Sequence, residues 1–484
     1  MMTTAIFFPN QLFDLPHVRA LVKKHANIHT ILVWEDPAFF GIRDGETGYP
    51  SRIPLNRLRL AYQYVADRLF ADRVRAAFGA KIKVTVVPMH EAKKPPAGPV
   101  VFYDPCDLLI SRKFATAAIE TSPQFILTAD ECVAYAKGKK RLMHRPFFDY
   151  VKMRMGGFLE GVASTDEANR ASIPASEAAA APPPYVQLRT APPIAKLWAD
   201  AYNFVDKEFP NAPGGPPLHT PPPLPLPLTP SEAIAWFKKF IKERMSKFAM
   251  YEDAIASGQP WLYHSGISIF LNNGLLTPAD VRKNLPANSP SLEAFARQVF
   301  GWREYARMYY LTVPHNIARK NVFKHKAAAL SQNWYKAQSQ PSSFPPVVQE
   351  AVKPSSFPPV VQEAVNDAWN MGYLHHIRRL MVVSNYMTLH GTHPDEVYKW
   401  MFAFALDAWP WVMVFNVYSM GTWSDGGLAM RKPYISSSSY IRRMARLSAS
   451  RQQWAEDWDA DYAAFLKKNK TALQHTILAR GRAQ

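Results

Sequence analysis

Cysteine is nearly absent, with only Cys106 and Cys132 among 484 residues. That scarcity excludes a disulfide framework and a four-thiolate metal centre, and it points to a reducing compartment. Acidic residues are also few, 39 against 57 Lys and Arg, for a formal charge of +18. Such an excess favours a polyanionic partner, because clustered cations gain affinity by neutralising phosphates and releasing counterions. No apolar run approaches the ~20 residues that span a bilayer. The N-terminus lacks the charged-then-apolar layout of a signal peptide. A soluble intracellular monomer (cytoplasm or nucleus) with no membrane partner is the expectation.

Length and apolar mass are abundant. At 484 residues, 48% of them hydrophobic, the chain exceeds what one core normally supports, and two domains are expected. Ala5 to Phe8, Thr30 to Trp34, Val84 to Val87, Val100 to Tyr103 and Phe125 to Thr128 read as buried strands, with a helix over Leu55 to Phe78 among them. That alternation predicts an α/β fold, a Rossmann-like parallel sheet covered by helices. Its polar turns Pro9-Asn10-Gln11, Glu35-Asp36-Pro37 and Asp104-Pro105-Cys106-Asp107 stand at strand ends, where open sheets bind ligands.

From Ala163 to Pro230 the composition turns to Ala and Pro, including Pro182-Pro183-Pro184 and a run from Pro213. Proline fixes φ and removes a backbone donor, so an extended connector enclosing one helix is expected. Beyond it, Thr229 or Ser231 can cap a helix continued by Ala233 to Phe248, and the rest reads as helical. The expected division is an α/β domain over 1–150, a connector over 151–230 and an all-helical domain over 231–484. Pro341 to Val352 recurs at Pro354 to Val365; so short a tandem suits a surface loop better than a solenoid.

Two basic clusters stand out, Lys137, Lys139, Lys140, Arg141, Arg145, Lys152 and Arg154, and Lys320, Lys324 and Lys326. The densest chemistry lies between Tyr373 and Tyr434. His375 precedes Arg378 and Arg379 by three and four residues, so a helix would gather them on one cationic, titratable face suited to an anionic ligand. Downstream, Trp400, Phe402, Phe404, Trp409, Trp411, Phe415, Tyr418 and Trp423 crowd rings that can stack a planar ligand or pass electrons.

The order α/β domain, connector, helical domain resembles the photolyase and cryptochrome superfamily. Tyr263 to Gly274 (YHSGISIFLNNG) is similar to its flavin-phosphate segment, and Arg297 to Tyr305 (RQVFGWREY) to its tryptophan-arginine-acid motif. Phe8-Pro9-Asn10-Gln11-Leu12-Phe13, Thr165 to Arg170, Phe248 to Ala254, His375 to Met381, Pro394 to Val397, Asp407, Asp425-Gly426-Gly427 and Lys432-Pro433-Tyr434 resemble, in order, the iron–sulfur bacterial cryptochrome and (6-4) photolyase branch.

The resemblance implies FAD held in the helical domain by Tyr263, His264, Ser265, Ser268, Asn272, Gln298, Trp302, Arg303, Arg379, Asn416, Asp425 and Gly426. It implies a lumazine-type antenna in the α/β domain near Gln11, Glu35, Asp36 and Phe40. The partner would be damaged duplex DNA, with an electron passing from light-excited reduced flavin to a flipped (6-4) lesion. His376 matches the proton donor, His375 and Arg379 its support, and Tyr434 a lesion-pocket residue. Trp400 matches the flavin-proximal electron carrier, and Trp334 its surface end.

Relatives of this branch hold an iron–sulfur cluster on four cysteines. No cysteine follows Cys132 here, and Ser448 and Arg451 occupy the late positions, so no cluster is expected. Met401 replaces an aromatic donor, and Met413 replaces an acid expected beside the reactive flavin nitrogen. The alternatives to repair are a blue-light photoreceptor without repair activity and a flavin-free DNA-binding relative.

Overall fold

Four of the apolar runs become strands where the sequence places them: β1 Thr3–Phe7, β2 Ile28–Trp34, β3 Lys83–Val87 and β4 Val100–Tyr103. In this computed structural model the residues described are 2–25, 27–44, 48–164, 171–185, 192–214, 225–336, 357–447, 452–476 and 478. With a fifth strand, β5, over Ala118–Glu120, the sheet is parallel throughout, in the order β3-β2-β1-β4-β5. The chain therefore winds outward from β1 on one side and returns to build the other.

The fifth strand corrects the sequence expectation. Phe125 to Thr128 is not a strand, because the Ile126 and Leu127 amides donate to the buried Glu304 carboxylate at 2.9 and 3.3 Å, and Thr128 caps the next helix. Instead β5 is Ala118–Glu120, an edge strand with Ala118 and Ile119 exposed. An exposed edge needs backbone pairing rather than an apolar pattern.

The crevice beyond the strand ends, where doubly wound sheets usually hold ligands, is filled by protein. Asn10 Nδ2 donates to the Pro105 carbonyl at 2.9 Å and Gln11 Nε2 to the Tyr103 carbonyl at 2.6 Å. Gln124 Nε2 joins the Asn10 and Asn272 carbonyls at 2.8 and 3.2 Å, which ties the sheet to the helical half.

The connector is more structured than proline content suggests. Pro192–Glu208 is a helix packed on Arg57–Phe78, with Tyr64 and Phe204 rings 5.0 Å apart, and a short helix spans Ala175–Ala179. The motif over 165–170 and the densest prolines, 215–224, lie outside the described residues. Thr229 rather than Ser231 caps the following helix, Pro230–Glu243, through a reciprocal box with Glu232; a separate turn covers Met245–Phe248.

The repeat also departs from expectation. Its first copy lies outside the described residues, but the second enters the helix Pro359–Met371 and buries Val361, Ala364 and Val365. Apolar spacing of three and four residues makes that copy a core helix, not a loop. Helix Arg57–Phe78 is bolted to the helical half. The Asn56 amide donates to the Ala403 carbonyl at 2.8 Å, and the Arg59 guanidinium reaches the Phe402 and Ala408 carbonyls. Among the described residues no helix is long and apolar enough to cross a membrane.

Candidate functional site

Three segments of the helical half are π-helical: Arg297–Trp302, Arg378–Ser384 and Phe415–Gly421. π-helical turns are rare and gather at functional sites because they widen the helix and re-aim side chains. All three face one cavity of about 1090 Å³, supplying Gln298 and Trp302, Arg379 and Ser384, and Asn416 and Met420 to its wall. That volume lies at the top of the range for ligand sites.

A glycine turn forms one side. Gly266 has φ of +67°, and a Cβ there would lie 2.8 Å from the Trp261 ring, so only glycine fits. Arg244 holds the His264 carbonyl at 2.6 Å and Trp236 the Ser265 carbonyl at 2.7 Å, which points Ser265 and Ser268 at the opening. Asp407 is the hub. It accepts from Ser268 Oγ at 2.8 Å and pairs with Arg379 at 3.0 Å, while its carbonyl accepts from Asn272 at 2.8 Å.

The histidines lie beside this hub. His264 and His375 stack with ring centroids 4.3 Å apart and planes within 13°, and His376 meets His264 edge-on. The three rings bring nitrogens within 4.8 Å of one another, a spacing seen in metal sites. In stacked rings the in-plane lone pairs run side by side rather than converge, and both His264 nitrogens face carbonyls, of Trp261 at 3.0 Å and Glu252 at 2.8 Å. The grouping suits hydrogen bonding better than coordination.

Burial, then the neighbouring His376, pushes the His264 imidazole down to about 4. His375 is held well below the ordinary value by burial and by His264 and Arg378, and neither of its nitrogens has a partner. His376 behaves oppositely. Burial works against its charge, but the Asp253 carboxylate 3.6 Å from Nε2 and nearby Glu252 shift it upward, and with 41% of the side chain exposed the desolvation is incomplete.

The single cationic face expected over His375, Arg378 and Arg379 does not form. Arg378 turns to Asp367 and Glu363, Arg379 turns to Asp407 and the Leu374 carbonyl, and His375 is neutral. Consecutive helical positions diverge by ~100°, and each guanidinium follows its own carboxylate.

His264, Ser265, Ser268, Asn272, Gln298, Trp302, Arg303, His375, His376, Arg379, Asn416 and Tyr434 all line the cavity. Four candidates do not. Tyr263 turns outward to Glu177, Asp425 accepts from the Tyr309 hydroxyl at 2.9 Å, Gly426 forms a turn against Val322, and Trp400 is fully buried behind the wall. Met401 and Met413 are in the wall. Trp400 lies 5.8 Å from Trp334 and 6.2 Å from Trp369, and both Trp400 and Trp369 donate to the Trp334 carbonyl. Trp334 is itself buried; the half-buried Tyr386, 6.2 Å away, is nearer the surface.

The antenna candidates are not gathered round one opening. Gln11 bonds the Tyr103 carbonyl, Glu35 pairs with Arg68 at 2.6 Å, and Phe40 packs on Phe204 and Phe209. Asp36 alone borders a second cavity, with Lys93, Arg112, Lys113 and His315. Ser448 and Arg451 lie outside the described residues.

Sequence reasoning missed Asp253, although it lies in the segment Phe248 to Ala254, and it missed that His144 and Phe148 of helix His144–Arg154, beside Arg145 of the basic cluster, form one wall. No local pattern marks that wall, because only long-range packing brings it to the cavity. Arg145 and Arg443 are exposed at the rim, and Lys137, Lys139, Lys140 and Arg141 extend the charge along a loop tied by the Leu142 amide to the Leu428 carbonyl.

No protein-family model matches the chain. The (6-4) photolyase of Agrobacterium fabrum is 30% identical over 227 residues, 45% of this chain; the match spans only 41% of that protein. An uncharacterised protein of Acanthamoeba polyphaga mimivirus, R855, is 43% identical over 89 residues, 18% of this chain and 72% of the viral protein. A bacterial class III photolyase from Agrobacterium tumefaciens shares the fold, with a TM-score of 0.50 and 14% identity over 96% of this chain and 98% of that one. With a parallel sheet wound against a largely helical half, the chain has the two-domain fold of photolyases and cryptochromes, and over 45% of its length its sequence is similar to a (6-4) photolyase.

Proposed function

We propose that the chain is a light-driven, FAD-dependent photolyase that repairs (6-4) pyrimidine photoproducts in duplex DNA. The observation that carries this reading is one cavity with two chemistries: an interior cradle of Ser265, Ser268, Asn272 and the Arg379–Asp407 pair, and a mouth with His376 beneath a basic rim. The residues fit a flavin dinucleotide: hydroxyls and a glycine turn for its phosphates, Arg379 and Asn416 for its polar edge, and the unpartnered nitrogens of His375. Bound FAD, reduced and excited by light, supplies the electron.

The protein's own groups do the rest. Arg145, Arg443 and the Lys137 to Arg141 loop neutralise backbone phosphates, which favours extruding a base toward the cavity. His376, whose Nε2 faces the Asp253 carboxylate that favours its protonated form, is the group that offers a proton, while buried His375, held well below the ordinary histidine value, keeps a second charge away. The apolar wall of Trp411, Phe415 and Met401 excludes water. Among antenna sites, the second cavity beside Asp36 is the better candidate for a lumazine.

Illumination of the purified, flavin-reduced protein with an oligonucleotide carrying one (6-4) photoproduct tests the reading. Restored thymines support it, and intact lesion after prolonged light sinks it. A photoreceptor without repair is the second reading, favoured by Met401 and Met413, whose thioethers stand in the cavity wall where the resemblance expects an aromatic ring and an acid. Flavin photoreduction without preference for damaged over undamaged DNA would select it.

A further inference from the structure

His144 has no role in the account above, yet its ring forms part of the cavity wall. It lies face to face with Trp302, centroids 3.6 Å apart and planes within 10°. Gly301 permits this approach: a Cβ there would be 2.8 Å from His144 Nε2. The same closeness seals Nε2 from solvent and leaves it without a hydrogen-bond partner, whereas Nδ1 is not sealed.

Burial, helped by Arg297, pushes the ring's affinity for a second proton down to about 3, so the imidazole carries one proton. A neutral imidazole has one donor and one acceptor nitrogen. An orphaned buried N–H is rarer in proteins than an under-satisfied acceptor. The proton therefore sits on Nδ1, and Nε2 faces the Gly301 backbone bare. Trp302 fixes the ring plane, and with it the direction of the N–H.

We infer that His144 is a ligand-orienting residue whose Nδ1–H donates to a neutral carbonyl oxygen on a planar heterocycle bound in the cavity. A phosphate is the poorer match, because this donor carries no charge and Arg145 and Lys152, on the same helix, supply cations at that wall. The inference rests on the reading that the cavity binds flavin and a flipped base, either of which presents such carbonyls.

The test uses side-chain geometry in the full chain. Asparagine places an amide N–H close to the imidazole Nδ1 position, glutamine places one close to Nε2, and phenylalanine keeps a flat ring on Trp302 without a donor. FAD affinity and affinity for a fluorescein-labelled duplex bearing one (6-4) photoproduct are measured for the wild type and for H144N, H144Q and H144F, each checked by thermal melting. Loss of one neutral hydrogen bond weakens binding by about two- to twelvefold. That loss is expected in H144F and H144Q, with H144N within about twofold of wild type on the same scale.

Weakening confined to FAD identifies a flavin carbonyl, and weakening confined to the duplex identifies a base carbonyl. If H144F binds both as the wild type does, or H144N is as weak as H144F, the ring serves only to stack and the inference is overturned. A wild type that binds neither probe fails the functional reading itself, and this inference with it.

Discussion

Replacing Asp253 with Asn tests the electrostatic logic of the cavity mouth. Asp253 lies 3.6 Å from His376 Nε2 and accepts from the Tyr440 hydroxyl at 3.1 Å. The amide keeps the carboxylate's shape and deletes its charge. At 3.6 Å a unit pair is worth about 1 kcal/mol at the dielectric constant of water and about 5 at an effective value near 20. With 41% of the His376 side chain exposed, solvent screening holds the interaction toward the lower end, roughly 1.5–3 kcal/mol. At about 1.4 kcal/mol per unit, the His376 titration should fall by one to two pH units in D253N.

The sign follows from the upward shift. Protonated His376 is favoured in the folded protein, so the associated stability is complete below the ordinary histidine value and disappears as pH rises through the elevated one. Repair that needs this proton declines over the same rising interval, and in D253N the decline begins at lower pH. Carbon-detected NMR of histidine-labelled protein reads the titration directly, with H376Q identifying the resonance. An unchanged midpoint in D253N would refute the pairing and the proton-donor assignment built on it.

Arg379→Ala leaves Asp407 buried without its cation, so purified R379A should carry little FAD and lose roughly 3–5 kcal/mol in denaturant titrations. Glu304→Ala removes the acceptor of the Ile126 and Leu127 amides and uncovers Arg303 and Arg307; a similar ~3–5 kcal/mol loss is expected, with FAD affinity retained in the folded fraction. Thr229→Ala deletes a capping box and should cost about 1 kcal/mol without altering the flavin spectrum. Trp400→Phe should slow light-driven reduction of bound flavin while leaving its amount unchanged, measured by absorbance under blue light.

What was legible in the sequence was what short-range pattern encodes. Buried parallel strands announce themselves as apolar runs, and Ala5 to Phe8 or Val100 to Tyr103 could hardly be anything else. Phe125 to Thr128 had the same signature and misled, because a carboxylate 177 residues away took its amides. The glycine turn at Gly266 and the residues around His375 were legible through motif order. Nothing local distinguished Tyr263, which points away, from His264, which points in. The π-helical turns left no readable trace either, since the extra residue in each is accommodated by tertiary packing. His144 reached the cavity only because Gly301 made room for it.

The bolts between Arg57–Phe78 and the helical half bear on modularity. Asn56 and Arg59 direct their donors to the carbonyls of Trp369, Ala403, Phe402 and Ala408, and the Arg59 guanidinium lies over the Phe402 and Trp409 rings. Severing the chain at the connector and removing the sheet would strand those carbonyls and bare those rings at once. The helical half is therefore no portable cassette for transplanting onto another sheet, and the α/β half, far from being a detachable accessory, is a brace for the helices that surround the cavity.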